Sequence, residues 1–554
     1  MATLISKTVK GHQYWYIVES KRIGGKVKQE VIEYIGNQKK LSEYLLNSNA
    51  RRLSDCLEQV CIKSYSHGDT YALMKISEKF GIKEILDAIF KKKTRNGIER
   101  SFSLILAAVH RASFPGSKNE FANWFQSTSL PFHLNIKPQV MTSMHFWDQM
   151  DGISENELMA AEDAITKRIL GYYDIGIHKV ALDYTNYFTY ISSGNDRNTL
   201  AKRGRNKQKR YDLRQCSLAI ITSKDLGIPL FSHVYEGNTN DQTEFREYVK
   251  LLRERMPSCN PEEVTLVFDG GSNTKENLNS LSMHYICSFS LSYCKELYQI
   301  DLTDYREIHV NGREKKAFRT TRNIWGQERE CILTFSQSLY DGQLRELELS
   351  LINALGQIEE LNKKIQNPKS RISKEKEDLQ KKVDGILKNK HSRKIIETEI
   401  AGETVAYRIN EEEKAIIIHC YFGKKLIITD RKEWSTEDIL TTYYEQDCVE
   451  KLFQDTKNSD HFSIQPIYHW TDQKIRVHIF ICLLGLTLST LLQKEVGGAG
   501  GVKISKNRLM EELGMIRESW VGELDGESDS KKVIRRLEKM NDMQEMIWQA
   551  VEKI

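Results

Sequence analysis

The spacing of apolar residues changes several times along the chain, and each change predicts a different kind of structure. Over residues 1–37 apolar and polar residues alternate, as in "YWYIV" and "KVKQEVIEYIG", which predicts a twisted β-hairpin closed by a turn at Gly24 and Gly25. From Ser66 to Leu170 apolar residues recur at i, i+3 and i+4, as in "SFSLILAAVHRA". That spacing predicts a helical domain.

Strand patterns dominate the part of the chain that follows. The runs "HKVALDYTNYFTYI", "LRQCSLAIIT" and "IPLFSHVYEG" precede a helical stretch, "TEFREYVKLLRERM", and then come "EVTLVFDGG" and "HYICSFSLSY". Three strands, a helix and a further strand is the order of elements in the RNase H-like α/β core. The sequence therefore predicts such a core.

A seven-residue repeat of apolar positions comes next. Its members are Leu344, Leu347, Leu351, Ala354, Ile358, Leu361 and Ile365. "NPKS" ends this helix and Ile372 starts a second one, which predicts a helical-hairpin arm. Packing within the chain is the more frequent arrangement for so few heptads, and oligomerisation through the arm stays open. "TVAYRI" and "KAIIIHCYF" are predicted as strands that return the chain to the core.

The most apolar run, Val477 to Leu492, is shorter than a membrane span and contains His478. We therefore predict a buried core helix and no membrane partner. "GGAGG", from Gly497 to Gly501, predicts a flexible linker before a polar, helical C-terminal tail.

Together these patterns predict a multi-domain α/β protein whose RNase H-like catalytic core is interrupted by a helical-hairpin insertion. At 554 residues the chain is too long for one compact core. The predicted segments are an N-terminal β-hairpin or DNA-binding region (1–64), a helical domain (65–175), the first part of the core (176–292), the insertion (293–432), the second part of the core with Glu450 (433–495) and the helical tail (496–554).

Composition excludes several classes of protein without selecting a function. With 81 basic and 76 acidic residues the net charge is only +5, so a nucleic-acid partner must be argued from local patches. The ten cysteines include no C-x-x-C pair, which indicates a reduced, intracellular protein rather than a disulfide framework or a zinc module. The N-terminus lacks the pattern of a signal peptide.

Three acidic residues stand where they could form one dispersed active site. Asp183 in "VALDYTNYF" and Asp269 in "VTLVFDGGSN" interrupt or end apolar strands, and Glu450 lies on an amphipathic helical stretch. Converging carboxylates are suitable ligands for two Mg²⁺ ions, or Mn²⁺ as a substitute, in phosphodiester chemistry. An isolated Asp after a strand is more often a turn or cap residue, so each position alone is a weak signal.

The residues around Glu450 carry a family resemblance. Tyr443, Gln446, Glu450 and Lys457 have the spacing Y-x2-Q-x3-E-x6-K, which resembles the Y-x2-R-x3-E-x6-K signature of DDE-superfamily insertion-sequence transposases of the IS-four group. The fit is best to the IS1634 branch, to which "YWYIVESKRIGGKVKQEVIEYIGN", "LDYTNYF" and "GNTNDQTEF" are also similar. One continuous helix would place the four positions on one broad face.

The resemblance implies roles for these residues. Asp183, Asp269 and Glu450 would be the catalytic metal ligands, while Tyr443, Gln446 and Lys457 would contact DNA, with Tyr443 stacking on or wedging near an end base. Gln446 replaces the signature arginine, which keeps hydrogen bonding but loses a charge. We therefore expect altered end binding rather than loss of chemistry.

A basic run lies between the first two strands of the predicted core. Its members are Lys202, Arg203, Arg205, Lys207, Lys209 and Arg210. Charge runs are usually solvated loops. The position next to Asp183 favours a phosphate-binding role instead. The histidines His461, His469 and His478 fit no ordinary metal spacing and are interpreted as structural or as DNA-backbone contacts.

The resemblance implies a DNA transposase that binds terminal inverted repeats, cleaves strands with metal ions and joins the freed ends to target DNA. Its partners would be double-stranded DNA and a second copy of the chain, as a homodimer on DNA. It would act in the cytoplasm, at the nucleoid of a bacterium or an archaeon. Two alternatives are a catalytically silent, domesticated transposase that only binds DNA, and a nuclease without strand transfer.

Overall fold

The computed structural model describes most of the chain. The described residues are 2–9, 12–23, 26–41, 43–45, 60–192, 194–206, 209–255, 260–445, 447–458, 462–465, 467–523 and 534–554. The predicted turn at Gly24 and Gly25, together with Lys207, Gln446 and His461, lies outside these residues.

Strands begin the described part of the chain and alternate with helices along the rest of it, up to a final helix. The strands are β1 (Ala2–Val9), β2 (His12–Ile23), β3 (Lys26–Gly36), β4 (Val60–Ser66), β5 (Thr94–Arg95), β6 (Ile98–Glu99), β7 (Lys179–Thr189), β8 (Arg214–Ser223), β9 (Pro229–Glu236), β10 (Thr265–Phe268), β11 (His284–Phe289), β12 (Arg306–Val310), β13 (Arg313–Ile324), β14 (Gln327–Phe335), β15 (Ile396–Ala401), β16 (Thr404–Ile409), β17 (Lys424–Thr429), β18 (Arg517–Glu523) and β19 (Ile534–Leu537).

The helices cluster before β7 and after β14. They are α1 (Gly68–Lys79), α2 (Ile82–Ile89), α3 (Arg100–Ser113), α4 (Phe121–Ser127), α5 (Leu130–Leu134), α6 (Ser143–Met150), α7 (Glu155–Tyr173), α8 (Asp241–Arg255), α9 (Lys275–Asn279), α10 (Gln337–Gln366), α11 (Lys376–Ile386), α12 (Lys390–Ile395), α13 (Glu411–Tyr421), α14 (Thr436–Tyr444), α15 (Asp447–Lys457), α16 (Asp472–Gly500), α17 (Lys506–Gly514) and α18 (Asp542–Lys553). The predicted mixed α/β, multi-domain class is confirmed.

The first of two compact units contains both ends of the chain, Met1–Ala72 and Val496–Lys553, together with Ala122–Gln139. Strands β1, β2 and β3 form an antiparallel sheet in that order, so β1 adds a third strand to the predicted hairpin. A second sheet has the order β19-β18-β4. The predicted helical tail contains the helices α17 and α18, and it also supplies the two strands β18 and β19, because long-range pairing with β4 overrides the local pattern there.

The second unit, Leu73–Phe121 with Val140–Glu495, is built on a nine-stranded sheet. The strand order is β12-β13-β14-β17-β11-β10-β7-β8-β9. β7 is antiparallel to β8 and parallel to β10, and β10 is parallel to β11. The strands of the segment predicted as an insertion, β12 to β14 and β17, extend this same sheet through antiparallel pairs.

The chain leaves that sheet after β14 and returns at β17. Between them, α10 buries the predicted apolar stripe from Leu347 to Ile365 against α11, α12 and the β15–β16 hairpin. The helical arm thus packs against its own chain. "TVAYRI" is strand β16 of that separate hairpin rather than part of the large sheet.

The predicted strand "KAIIIHCYF" is wrong, because helix α13 covers most of it. The Asn410 side chain accepts a hydrogen bond from the backbone N–H of Glu413 at 2.9 Å, and three glutamates occupy the first turn. Such a cap and acidic first turn favour a helix over the β-rich composition of the apolar run.

The predicted apolar core helix is α16, and it extends further than expected. By length and composition alone it could cross a membrane, but 89% of its most apolar window is buried inside the protein, as in a core helix. It continues through Gly497 to Gly500, where the sequence predicts a linker, so that prediction is wrong. The preceding turns already fix the helix, and adding residues to an existing helix needs no new nucleus.

Gly485 of α16 lies where this helix passes very close to α3. A Cβ at this position would meet the carbonyl oxygen of Ala108 at 2.6 Å, which is inside van der Waals contact. We expect Gly485→Ala to lower the free energy of unfolding by about 1–3 kcal/mol, the usual cost of overpacking. Chemical denaturation of the variant measures this change.

Gly356 on α10 provides a matched control. It is exposed, and a Cβ there would meet nothing within 4 Å. Gly356→Ala should leave stability unchanged or raise it by up to about 1 kcal/mol, since alanine is the better helix former. If Gly485→Ala unfolds at the same denaturant concentration as Gly356→Ala, the close approach of α16 and α3 is wrong.

Candidate functional site

Asp183 and Asp269 lie at the same level on neighbouring strands. In the parallel pair of β7 and β10, Leu182 is in register with Phe268. Each aspartate directly follows one of these two residues, so their Cα atoms are about 5 Å apart across the sheet. Buried apolar residues precede both aspartates, whereas Asp183 is half-buried and Asp269 is exposed. The structure therefore places these two predicted residues side by side on neighbouring strands.

Asp269 is surrounded by hydroxyl groups. The hydroxyls of Ser288 and Tyr443 donate to its Oδ1 at 3.3 and 3.4 Å, and the same Ser288 oxygen accepts from the Gly270 N–H at 2.8 Å. These partners are neutral, so they leave the negative charge of Asp269 uncompensated. A carboxylate with long, neutral hydrogen bonds and an exposed side can accept a hard cation.

Tyr443 faces the interior rather than the solvent. Its side chain is 3% exposed and packs among Val267, Ile286 and Leu440. Burial raises the pKa of Tyr443, and the nearby carboxylate of Asp269 raises it further. The Lys425 ammonium lies 4.7 Å from the centre of its ring. The structure does not provide the exposed ring that our predicted contact with a DNA base requires.

Glu450 is exposed on α15, an amphipathic helix. Val449, Leu452, Phe453 and Thr456 form its buried face. Glu450 lies about 100° around the helix from Val449, beside the buried face rather than opposite it. α14 ends at Tyr444 and α15 begins at Asp447, so the signature positions do not share one helix, and the single-face prediction is wrong.

A buried hydrogen bond fixes the end of α15 to β7. The Tyr187 hydroxyl lies 2.7 Å from the Thr456 Oγ1, and Thr456 Oγ1 donates to the Phe453 carbonyl at 2.9 Å. The Lys457 ammonium lies 5.8 Å from the centre of the Tyr187 ring. Because Tyr187 is four residues beyond Asp183 on the same strand, the helix that carries Glu450 is anchored on the strand that carries Asp183.

The basic run forms the connection between β7 and β8. Lys202 pairs with Gln215 of β8 through two backbone hydrogen bonds of 3.0 and 2.8 Å, and the Gln215 side chain donates to the Arg205 carbonyl at 3.1 Å. Arg203, Arg205, Lys209 and Arg210 are exposed. Arg210 forms a bidentate ion pair with Asp212, at 2.8 and 2.9 Å. The loop is thus attached to the sheet next to β7 with most of its cations at the surface.

The N-terminal residues match a known family model. Residues 4–61 match the model described as the N-terminal domain of the IS1634 family of transposases. The chain carries an IS1634 transposase N-terminal domain. The resemblance predicted from the sequence is confirmed by this match.

One solved structure, of the piggyBac transposase in a synaptic complex with hairpin DNA, is similar to the chain with a TM-score of 0.38 and 10% sequence identity. The similarity covers 80% of this chain and 79% of that one. A TM-score of this size carries no argument about fold or function. No curated protein matches the chain significantly.

Further acidic residues lie near Tyr184, whose side chain is on the opposite face of β7 from that of Asp183, and sequence reasoning did not single them out. The carboxylate of Asp241 accepts from the Tyr235 hydroxyl at 2.9 Å. Burial raises the pKa of Tyr184, and the charges of Asp241, Asp183 and Glu244 raise it further. The motif "GNTNDQTEF" contained the signal, since it places acidic residues at the start of a helix directly after the third strand of the core.

Proposed function

We propose that the protein is a DDE-type DNA transposase, which cleaves and joins DNA strands with Asp183, Asp269 and Glu450. The observation that carries the proposal is the register of β7 and β10, which sets two aspartates at one level on adjacent parallel strands. Two aspartates whose Cα atoms are about 5 Å apart on neighbouring strands can share a divalent cation. The family match at residues 4–61 independently supports a transposase.

The sheet supports an RNase H-like core as the carrier of this site. Its part β9-β8-β7-β10-β11 has three antiparallel strands followed by two parallel ones, with α8 between β9 and β10. The helical arm is inserted between β14 and β17, far along the chain from both aspartates. An insertion there explains why the third acidic residue follows Asp269 only after 181 positions (450 − 269).

The anchoring of α15 supports Glu450 as the third ligand. Six residues of helix from Thr456 back to Glu450 span about 9 Å. Four residues of strand from Tyr187 back to Asp183 span about 13 Å. The two lengths differ by about 4 Å, less than one helical turn. With α15 running alongside β7 in the same direction, a requirement of this proposal, the bond between Tyr187 and Thr456 would hold Glu450 within one turn of the level of Asp183.

The donor set fits Mg²⁺ or Mn²⁺, since all three groups are carboxylates, the hard oxygen ligands that these ions prefer. Asp183 and Asp269 would hold the ions with Glu450. When bound, two such ions neutralise the charge that develops on the reacting phosphate and increase the nucleophilicity of a bound water. The hydroxyls of Ser288 and Tyr443 position the Asp269 carboxylate for this role.

The surface beside the carboxylates supports double-stranded DNA as the substrate. The basic loop from Lys202 to Arg210 joins the strand of Asp183 to the next strand, and its exposed cations suit backbone phosphates rather than base edges. We propose that the substrate is the terminal inverted repeats of the element that encodes the chain. Because both ends must be cut together, a homodimer on DNA is part of the proposal.

A supercoiled plasmid that carries both element ends tests this function. With Mg²⁺ or Mn²⁺ we expect nicked and joined products, and with EDTA none, measured on agarose gels and by sequencing of the junctions. Nicked products without junctions would favour a nuclease without strand transfer. Specific binding of the ends without any cleavage would favour a silent, DNA-binding protein. Either result would overturn the proposal.

A further inference from the structure

A cavity of about 490 Å³ lies in the second compact unit, between the segment after α3 and the start of α16. Its volume is in the range of sites for small organic ligands. The residues that line it are Ala107, His110, Arg111, Pro115, Gly116, Ser117, Lys118, Asn119, Phe121, Ser143, Trp147, Gln465, Tyr468, His469, His478 and Ile481. None of these described lining residues is acidic.

Two histidines accept hydrogen bonds from Lys118 in this cavity. Its Nζ lies 3.2 Å from Nε2 of His469 and 3.4 Å from Nδ1 of His478. Nε2 of His478 lies 3.0 Å from the Ile464 carbonyl oxygen, so Nε2 carries the proton of this ring and Nδ1 is free to accept. Burial lowers the pKa of both histidines well below the usual range, so both rings are neutral.

The hydrogen bond from Lys118 also determines which ring nitrogen of His469 carries the proton. Its Nε2 accepts from Lys118, so the proton of the neutral ring is on Nδ1. That Nδ1 is buried and has no hydrogen-bond partner among the described residues. A buried N–H donor without a partner costs about 1–3 kcal/mol. An acceptor supplied by a ligand would remove this cost.

The charges around the cavity also favour an anion. Although parts of the Lys118 chain reach the surface, burial of its ammonium, together with the neighbouring Arg111, lowers the pKa of Lys118 to about 7. Arg111 itself donates to the carbonyls of Pro115 and Gly116 at 3.0 and 3.1 Å, which holds the segment carrying Lys118. Two basic groups and no acidic group among the described lining residues favour an anionic ligand over a cationic one.

We propose that this cavity binds the phosphate group of a nucleotide, with the phosphate oxygens at Lys118 Nζ and His469 Nδ1. A phosphate supplies several acceptor oxygens and a negative charge, which match a cation and an N–H donor. The cavity is larger than a phosphate alone requires. The rings of Phe121, Trp147 and Tyr468 line the rest of it, and aromatic rings can stack on a nucleotide base. The nucleotide is either free in solution or part of a DNA strand.

Binding measured by isothermal titration calorimetry tests this inference in metal-free buffer containing EDTA. The probes are 5′-dAMP, its dephosphorylated nucleoside, and a short DNA oligonucleotide with and without a 5′-phosphate. We expect binding only for phosphate-bearing probes. Binding of 5′-dAMP identifies a free nucleotide as the source, and binding of the oligonucleotide alone identifies DNA. Binding of the nucleoside as tight as that of 5′-dAMP, or of no probe at all, would overturn the proposal.

Two variants assign the binding to the cavity. Lys118→Met should weaken binding about tenfold or more, the effect of losing one charge-assisted hydrogen bond. His469→Gln changes the second donor and should also weaken binding while Lys118 stays in place. Lys363→Met, at an exposed position of α10, should bind like the parent. Parent-like binding by both cavity variants would overturn the proposal. Because no metal is present, the outcome does not depend on the cleavage chemistry proposed above.

Discussion

Asp183→Asn is expected to lower metal-dependent strand cleavage about a thousandfold or more. A thousandfold loss equals about 4 kcal/mol of transition-state stabilisation, and a ligand carboxylate that holds the metal is worth several kcal/mol. The substitution removes the charge but keeps the oxygen that accepts from the Tyr184 N–H at 2.7 Å, so the strand should keep its conformation. Initial rates of plasmid nicking with Mn²⁺ measure the effect, and circular dichroism verifies folding.

Asp384→Asn is the matched control, because this aspartate is exposed on α11 and far in sequence from the carboxylates. It should cleave at the parental rate. If Asp183→Asn cleaves as fast as Asp384→Asn, the proposed carboxylate site is wrong.

Glu450→Gln should behave like Asp183→Asn. A parental rate for Glu450→Gln alone would show that the third ligand lies elsewhere.

Local patterns were sufficient to predict most of the large sheet. The apolar runs at β7 to β11 and the helical spacing of α8 each show which side of a single strand or helix is buried. That side can be read from residues close together in the sequence. The heptad stripe of α10 likewise predicted its buried face. In each of these elements, the repeat of apolar residues in the sequence matches the side that is buried in the fold.

Pairings between distant segments could not be predicted in this way. β18 joins β4 from the other end of the chain, and β12 to β14 extend the sheet of β7. Within the site, the contacts of Tyr443 also could not be predicted from nearby residues. Its spacing to Glu450 carries the family resemblance, but only the folded sheet determines that its hydroxyl contacts Asp269, 174 positions away. The helical period of a sequence gives the angle between residues around the helix axis. It does not say which side of the helix faces the protein core.

Tyr187→Ala is expected to lower the free energy of unfolding by about 3–5 kcal/mol, the cost of removing a buried aromatic ring. The ring is fully buried between β7 and the helices α15 and α16. Because its loss also releases the helix that carries Glu450, cleavage should fall with it. Thermal unfolding and the nicking rate at a temperature where the variant stays folded measure the two effects. A stable variant would show that the ring does not hold these elements together.

The hydrogen bond itself predicts an asymmetry between two smaller changes. Thr456 gives its hydroxyl proton to the Phe453 carbonyl, so the Tyr187 hydroxyl is the donor in the bond between them. Tyr187→Phe removes this donor and leaves Thr456 bonded, which should cost about 0.5–1.5 kcal/mol. Thr456→Val leaves the Tyr187 hydroxyl buried without an acceptor, which should cost about 1–3 kcal/mol, and the double variant should recover most of that loss. Equal and additive effects in denaturation would mean that the bond does not link α15 to β7, and Glu450 would lose its anchor on the strand of Asp183.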